Sequence, residues 1–150
     1  MSEPITTELI DLDLTAADRH EATRLLAQRL EKAGRVTDLT GFLEDVKARE
    51  AQMPTGIEGG IGIPHARSAH VTVPTLGFGR SGAGVDFGAA DGPATLIFLI
   101  AAPAGGGSEH MTILASLARR LVHASFRQAL HEAADPQDVV DLVDKEVLGR

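Results

Sequence analysis

The sequence predicts one α/β domain in which helices pack on a central sheet, and three observations carry that expectation. The run TLIFLIAAP, Thr95 to Pro103, is apolar without alternation and holds β-branched and aromatic residues, the pattern of a strand covered on both faces. Several other segments repeat their apolar residues at intervals of three and four, as helices with one buried stripe do. No internal repeat and no low-complexity linker divides the 150 residues, so residues 1–150 are assigned to a single domain.

The elements follow in order. LIDLDL, Leu9 to Leu14, alternates apolar and acidic residues toward its end and reads as a half-buried strand. Thr15 is expected to cap a helix whose stripe is Ala22, Leu25, Leu26, Leu30 and Ala33, with Gly34 closing it as the C′ residue. A second helix is expected from Leu39 to Ala51 on the face Leu39, Phe42, Leu43 and Val46, stopped by Pro54. HVTVPTLGFG, His70 to Gly79, reads as an edge or bulged strand because Pro74 interrupts it. The passage beyond it is turn-rich, with strand character only at Val85 to Phe87. After the buried strand, Ser108 is expected to cap a helix carrying Met111, Leu114, Ala115, Ala118, Leu121 and Val122. A short helix spans Phe126 to Ala134, and a last one begins with Asp135 as cap and Pro136 at its first position.

Composition excludes several functions. Fourteen Lys plus Arg against 21 Asp plus Glu leave a net charge of −7 with no basic block, which argues against nucleic acid as a partner. Tyr and Trp are absent, so stacking platforms for bases are not expected. Without cysteine there are neither disulfides nor thiolate metal sites. The N-terminal stretch lacks the charged and apolar regions of a signal peptide, and no apolar run approaches the roughly 20 residues that span a bilayer, so a cytoplasmic location is expected.

GFGRSG, Gly77 to Gly82, fits a dinucleotide-binding glycine pattern, but AGVDFGAADGP follows it where that pattern needs a helix. A phosphate-binding P-loop is absent because no Gly-Lys-Ser/Thr occurs. Of the six histidines, His20, His70, His123 and His131 read as surface or structural residues. His65 and His110 differ, because each sits where a glycine-rich stretch meets regular structure, a place where α/β scaffolds concentrate function. Ahead of His65 the chain reads GIEGGIGIP, four glycines and then a proline. The expectation is that the glycines keep side chains off His65 while Pro64 fixes its position in an unusual turn. A metal site built from His65, His70 and His110 is disfavoured, since no carboxylate cluster and no helical His-x-x-x-His spacing accompanies them.

Arg49 with Glu50, then TGIEGGIGIPHA from Thr55, FLIAAPA from Phe98 and EHMTILASLA from Glu109 together resemble the enzyme IIA domain of the fructose and mannitol branch of the bacterial phosphoenolpyruvate:sugar phosphotransferase system. The resemblance covers nearly the whole chain in order. It implies a mixed sheet flanked by helices, phosphorylation of His65, and Arg49 and His110 beside it as further catalytic residues, with no cofactor and no metal. It also implies a donor, the histidine-containing phosphocarrier protein, and an acceptor, a cysteine of a sugar-specific enzyme IIB domain, with the membrane reached only through the transporter. A nitrogen-related regulatory enzyme IIA, controlling other proteins through the same phosphohistidine, is the alternative. Gly62 departs from the family, which more often has alanine there, and the departure is expected to change backbone freedom without removing a functional group. The chemistry suits the residues: phosphoryl transfer asks for an in-line nucleophile and for cationic or hydrogen-bonding groups around the phosphoryl oxygens. Neutral imidazole supplies the first, and a planar guanidinium the second.

Overall fold

A computed structural model of the chain describes residues 3–106 and 109–149, without the side chains of Glu109 and His110. Six strands form one mixed sheet: β1 (Ile10–Asp11), β2 (Gly56–Ile57), β3 (Ile61–Gly62), β4 (His65–Ser68), β5 (Thr75–Val85) and β6 (Ala94–Pro103). The order is β1-β5-β6-β3-β2, and β4 also pairs with β6. β1 runs parallel to β5, β5 antiparallel to β6, and β3 and β4 both parallel to β6. The helices are α1 (Arg19–Lys32), α2 (Leu39–Gln52), α3 (Glu109–Leu121), α4 (Ala124–Glu132) and α5 (Pro136–Glu146).

The unbroken hydrophobicity of β6 has its cause in two cores, one on each face. Leu96, Phe98 and Ile100 join residues of α3, α4 and α5, while Ile97, Leu99 and Ala101 join residues of α1 and α2. Successive residues of a strand face opposite ways, so a strand with helices on both sides needs apolar side chains at every position. Phe78 and Phe98 meet with ring centroids 4.7 Å apart on the α3–α5 face.

Several sequence expectations are corrected. α1 is capped by Asp18, not Thr15: the Asp18 carboxylate accepts the Glu21 N–H at 2.8 Å, and the Glu21 carboxylate accepts the Ala17 N–H at 2.7 Å. Pro74 precedes β5 instead of interrupting it, which spares the ladder the loss of a donor. β5 also runs on through the stretch read as turns, with a register irregularity between Arg80 and Val85. Gly79 is what its packing requires, since a Cβ there would lie 2.6 Å from Leu14 and 3.3 Å from Leu26 of α1. Ser108, read as a helix cap, lies outside the described residues.

Two polar features mark the side of the molecule that carries α4 and α5. The Arg80 guanidinium donates to the carbonyls of Leu12 (3.3 Å), Leu130 (3.1 Å), His131 (3.0 Å) and Ala133 (2.8 Å), so a sheet residue satisfies the C-terminal carbonyls of α4. Asp144, half-buried on α5, has one carboxylate oxygen with no hydrogen-bond partner among the described residues. Burial, and then the charge of Asp141, push its pKa above the ordinary value.

Candidate functional site

β3 and β4 are two parts of one line along β6. Ile61 opposes Leu96 and His65 opposes Ile100, so the register passes through Ile63 and Pro64 without a shift. Pro64 has no N–H to give, but its carbonyl accepts the Ile100 N–H at 3.0 Å and keeps the strand attached across the gap. His65 therefore opens a strand on the sheet's central member, which corrects the expectation of an unusual turn.

The glycines ahead of it serve the interior and not an approaching molecule. Gly59 (φ +104°) and Gly60 (φ +76°) make the turn between β2 and β3. Gly56 and Gly62 admit the segment around Phe87: a Cβ at Gly56 would lie 2.7 Å from the Phe87 carbonyl oxygen, and one at Gly62 would lie 2.6 Å from the Phe87 ring. The Gly62 departure is thus a matter of room and not of backbone freedom, since its φ is not positive.

The imidazole of His65 is half-buried, with Nδ1 2.9 Å from the Ile63 carbonyl oxygen. It lines a cleft of about 410 Å³ together with Asp45 and Arg49 of α2, Arg67 of β4, and Met111 and Leu114 of α3. Arg49, predicted from sequence, is therefore brought to His65; one of its nitrogens donates to the Met53 carbonyl at 3.3 Å, at the end of α2. His110 occupies the second position of α3, and its side chain lies outside the described residues. His70 does not line the cleft; it sits at the start of α2, its Nδ1 4.0 Å from Asp38.

Glu50, the neighbour of Arg49 in sequence, points the other way and is buried. It accepts from Arg19 at 3.0 Å, from the Thr55 N–H at 2.9 Å and from the Thr55 hydroxyl at 2.6 Å. Arg67 is the cleft residue that sequence reading passed over. Two positions past His65 on the same strand face, it donates to the carbonyls of Ala104 (3.1 Å) and Gly106 (2.9 Å), in the loop that leads to α3. Reading HARS as a strand would have placed the two side chains together. Ser68 anchors the far end of β4 by donating to Asp45 at 2.6 Å.

Comparison with known proteins identifies the family and the fold. Residues 3–146 match the family profile described as phosphoenolpyruvate-dependent sugar phosphotransferase system, EIIA 2. The chain is 42% identical over 137 residues to the PTS system fructose-specific EIIA component of Haloferax volcanii, covering 91% of this chain and 89% of that protein. It is 35% identical over 146 residues to the PTS system fructose-specific EIIABC component of Bacillus subtilis, covering 97% of this chain and 23% of that longer protein. Among solved structures it is similar to the nitrogen regulatory protein IIA-Ntr of Neisseria meningitidis, with a TM-score of 0.84 at 29% identity over 92% of this chain and 94% of that one. It is also similar to a structure in the complex of enzyme IIA mannitol and phosphorylated enzyme IIB mannitol of Escherichia coli, with a TM-score of 0.79 at 27% identity over 97% and 98% of the two chains.

Proposed function

This chain belongs to the EIIA 2 family of the phosphoenolpyruvate-dependent sugar phosphotransferase system, whose members are phosphotransferases with a phosphohistidine intermediate, and we propose that His65 Nε2 is the atom that carries the phosphoryl group. The observation that carries this reading is the 2.9 Å contact between His65 Nδ1 and the Ile63 carbonyl. A carbonyl oxygen only accepts, so Nδ1 keeps the proton and the in-plane lone pair resides on Nε2. Transfer then follows: that lone pair forms an N–P bond as the donor's bond to phosphorus breaks, and the departing electron pair returns to the donor. The ring becomes cationic while its Nδ1–H remains bonded to the Ile63 oxygen, which lowers the energy of the charged state.

Arg49 lies in the same cleft, and its guanidinium is suited to the equatorial phosphoryl oxygens. His110, one residue inside the N-terminus of α3, is assigned a hydrogen bond to one of those oxygens. The donor is the phosphohistidine of the histidine-containing phosphocarrier protein, and the acceptor a cysteine of a sugar-specific enzyme IIB. Fructose or a related sugar is the eventual substrate, a reading supported by the name of the Haloferax relative. Met111 (55% exposed) lines the cleft, and such a pliant apolar side chain suits a surface that meets two different partners in turn. No helix among the described residues is long and apolar enough to cross a membrane. The likeness to IIA-Ntr supports a second reading, a regulatory protein that keeps the same phosphohistidine.

Incubation with labelled phosphoenolpyruvate, enzyme I and the phosphocarrier protein tests the proposal. One acid-labile, alkali-stable label on His65 is expected, absent in His65→Ala and acquired more slowly in Arg49→Ala. A label on another residue refutes it. Passage of the label to an enzyme IIB cysteine separates the transport role from the regulatory one.

A further inference from the structure

We propose that Glu50, which does not line the cleft, is a positioning residue that holds His65 in its Nδ1–H form; the proposal rests on the reading of Nε2 as the nucleophile. A buried carboxylate that merely joined two helices would need only its bond to Arg19 of α1. Two of the three donors to Glu50 come instead from Thr55, which leads into β2: its N–H meets Oε2 at 2.9 Å and its hydroxyl meets Oε1 at 2.6 Å. Both oxygens of the carboxylate are thereby committed to one residue, a clamp stronger than a neutral acceptor would give.

What the clamp fixes is the root of the hairpin that ends at the histidine. The Thr55 carbonyl accepts the Ile63 N–H at 3.2 Å, which closes the segment containing β2 and β3 into a strap. Gly56 adds a second point of attachment, its N–H donating to the Phe87 carbonyl at 2.9 Å. Ile63 then presents its own carbonyl to His65 Nδ1, and the Ile63–Pro64 peptide has an acceptor but no N–H. A continuous series of bonds therefore runs from Glu50 through Thr55 and Ile63 to the imidazole. Neutral imidazole in water exchanges its proton between both nitrogens, and an acceptor held at the Ile63 oxygen favours the form with the proton on Nδ1 and the lone pair on Nε2.

The test is nitrogen-15 NMR of the His65 ring in the whole protein, at a pH where the ring is neutral, alongside the rate of phosphorylation by the phosphocarrier protein. In the unsubstituted chain the ring should show one tautomer, protonated at Nδ1. Glu50→Gln puts an amide N–H₂ where an acceptor is needed, so mixed tautomers and a rate lower by about tenfold are expected. Thr55→Val should move both readouts the same way, and Thr55→Ser should restore both. A folded Glu50→Gln whose ring spectrum matches that of the unsubstituted chain overturns the proposal, as does a shifted spectrum with an unchanged rate. If Glu50→Gln does not fold, Thr55→Val decides by the same criteria. An unsubstituted chain that takes no label on His65 refutes the carrier reading instead, and the ring spectra still judge Glu50.

Discussion

Replacing Gly62 with alanine sets a methyl group against the ring of Phe87. The new Cβ would lie 2.6 Å from Cδ2 and 2.7 Å from Cγ, about 1 Å inside the ordinary carbon–carbon separation. Phe87 is 1% exposed and packs in the α1–α2 core, so its ring has no open side to swing into. Forcing a methyl into so full a site costs about 1–3 kcal/mol. Against this, alanine restricts the unfolded chain and returns about 0.4–1 kcal/mol. A net loss of about 1–2 kcal/mol is therefore expected, a fall in melting temperature of roughly 5 °C for a chain of this size. Urea unfolding of Gly62→Ala, Phe87→Leu and the double variant measures it, with a favourable coupling of at least about 0.5 kcal/mol expected because the smaller side chain vacates the contested space. An alanine variant as stable as the parent, or strictly additive effects, would refute the steric argument.

Arg80→Ala removes the donors to four carbonyls and is expected to cost about 3 kcal/mol in chemical unfolding. The same variant should raise the pKa of His131 on NMR titration, because partial burial, then the charges of Arg80 and Arg127, hold it below the ordinary histidine value. Asp144→Asn should stabilise the protein at pH 7 by about 1 kcal/mol. The folded-state pKa of Asp144 is raised, so its carboxyl favours the folded state fully below the ordinary aspartate value of 3.8 and loses that contribution as pH rises through the higher folded value. The advantage of the asparagine variant should accordingly shrink as pH falls, which acid-range thermal unfolding checks. Arg67→Ala frees the loop carbonyls of Ala104 and Gly106 and should slow labelling of His65 by about tenfold. Its stability should change by less than about 1 kcal/mol.

The sequence was most legible where burial is complete. TLIFLIAAP reads as the centre of the sheet because two cores need both of its faces, and the helices show their stripes for the same reason. β4 escaped notice because its inward positions hold the small residues Ala66 and Ser68, which leave no apolar alternation. The second half of β5 escaped because RSGAG is polar and glycine-rich, although it continues a strand whose glycines let α1 approach. The cap of α1 was within reach, since Asp18 and Glu21 have the spacing of a capping box. His65 stands out in the sequence by the glycines and proline ahead of it and Arg49 only through the family resemblance, and the fold brings the two to one cleft. The Glu50–Thr55 clamp was not, because it joins a helix end to a strand beginning, a contact that only the folded chain creates.

The line that β3 and β4 draw along β6 bears on how a relay keeps time. A groove that had to shut around each visitor would make every exchange wait for the protein to rearrange, and two visitors of different shape would ask for two rearrangements. Here the residue proposed as nucleophile is mounted on the same beam that holds the sheet together, the place of its backbone settled before any encounter. On the carrier role proposed for His65, giver and taker alike would fit themselves to a backbone already in place, and no rearrangement of the sheet would set the pace of the hand-off.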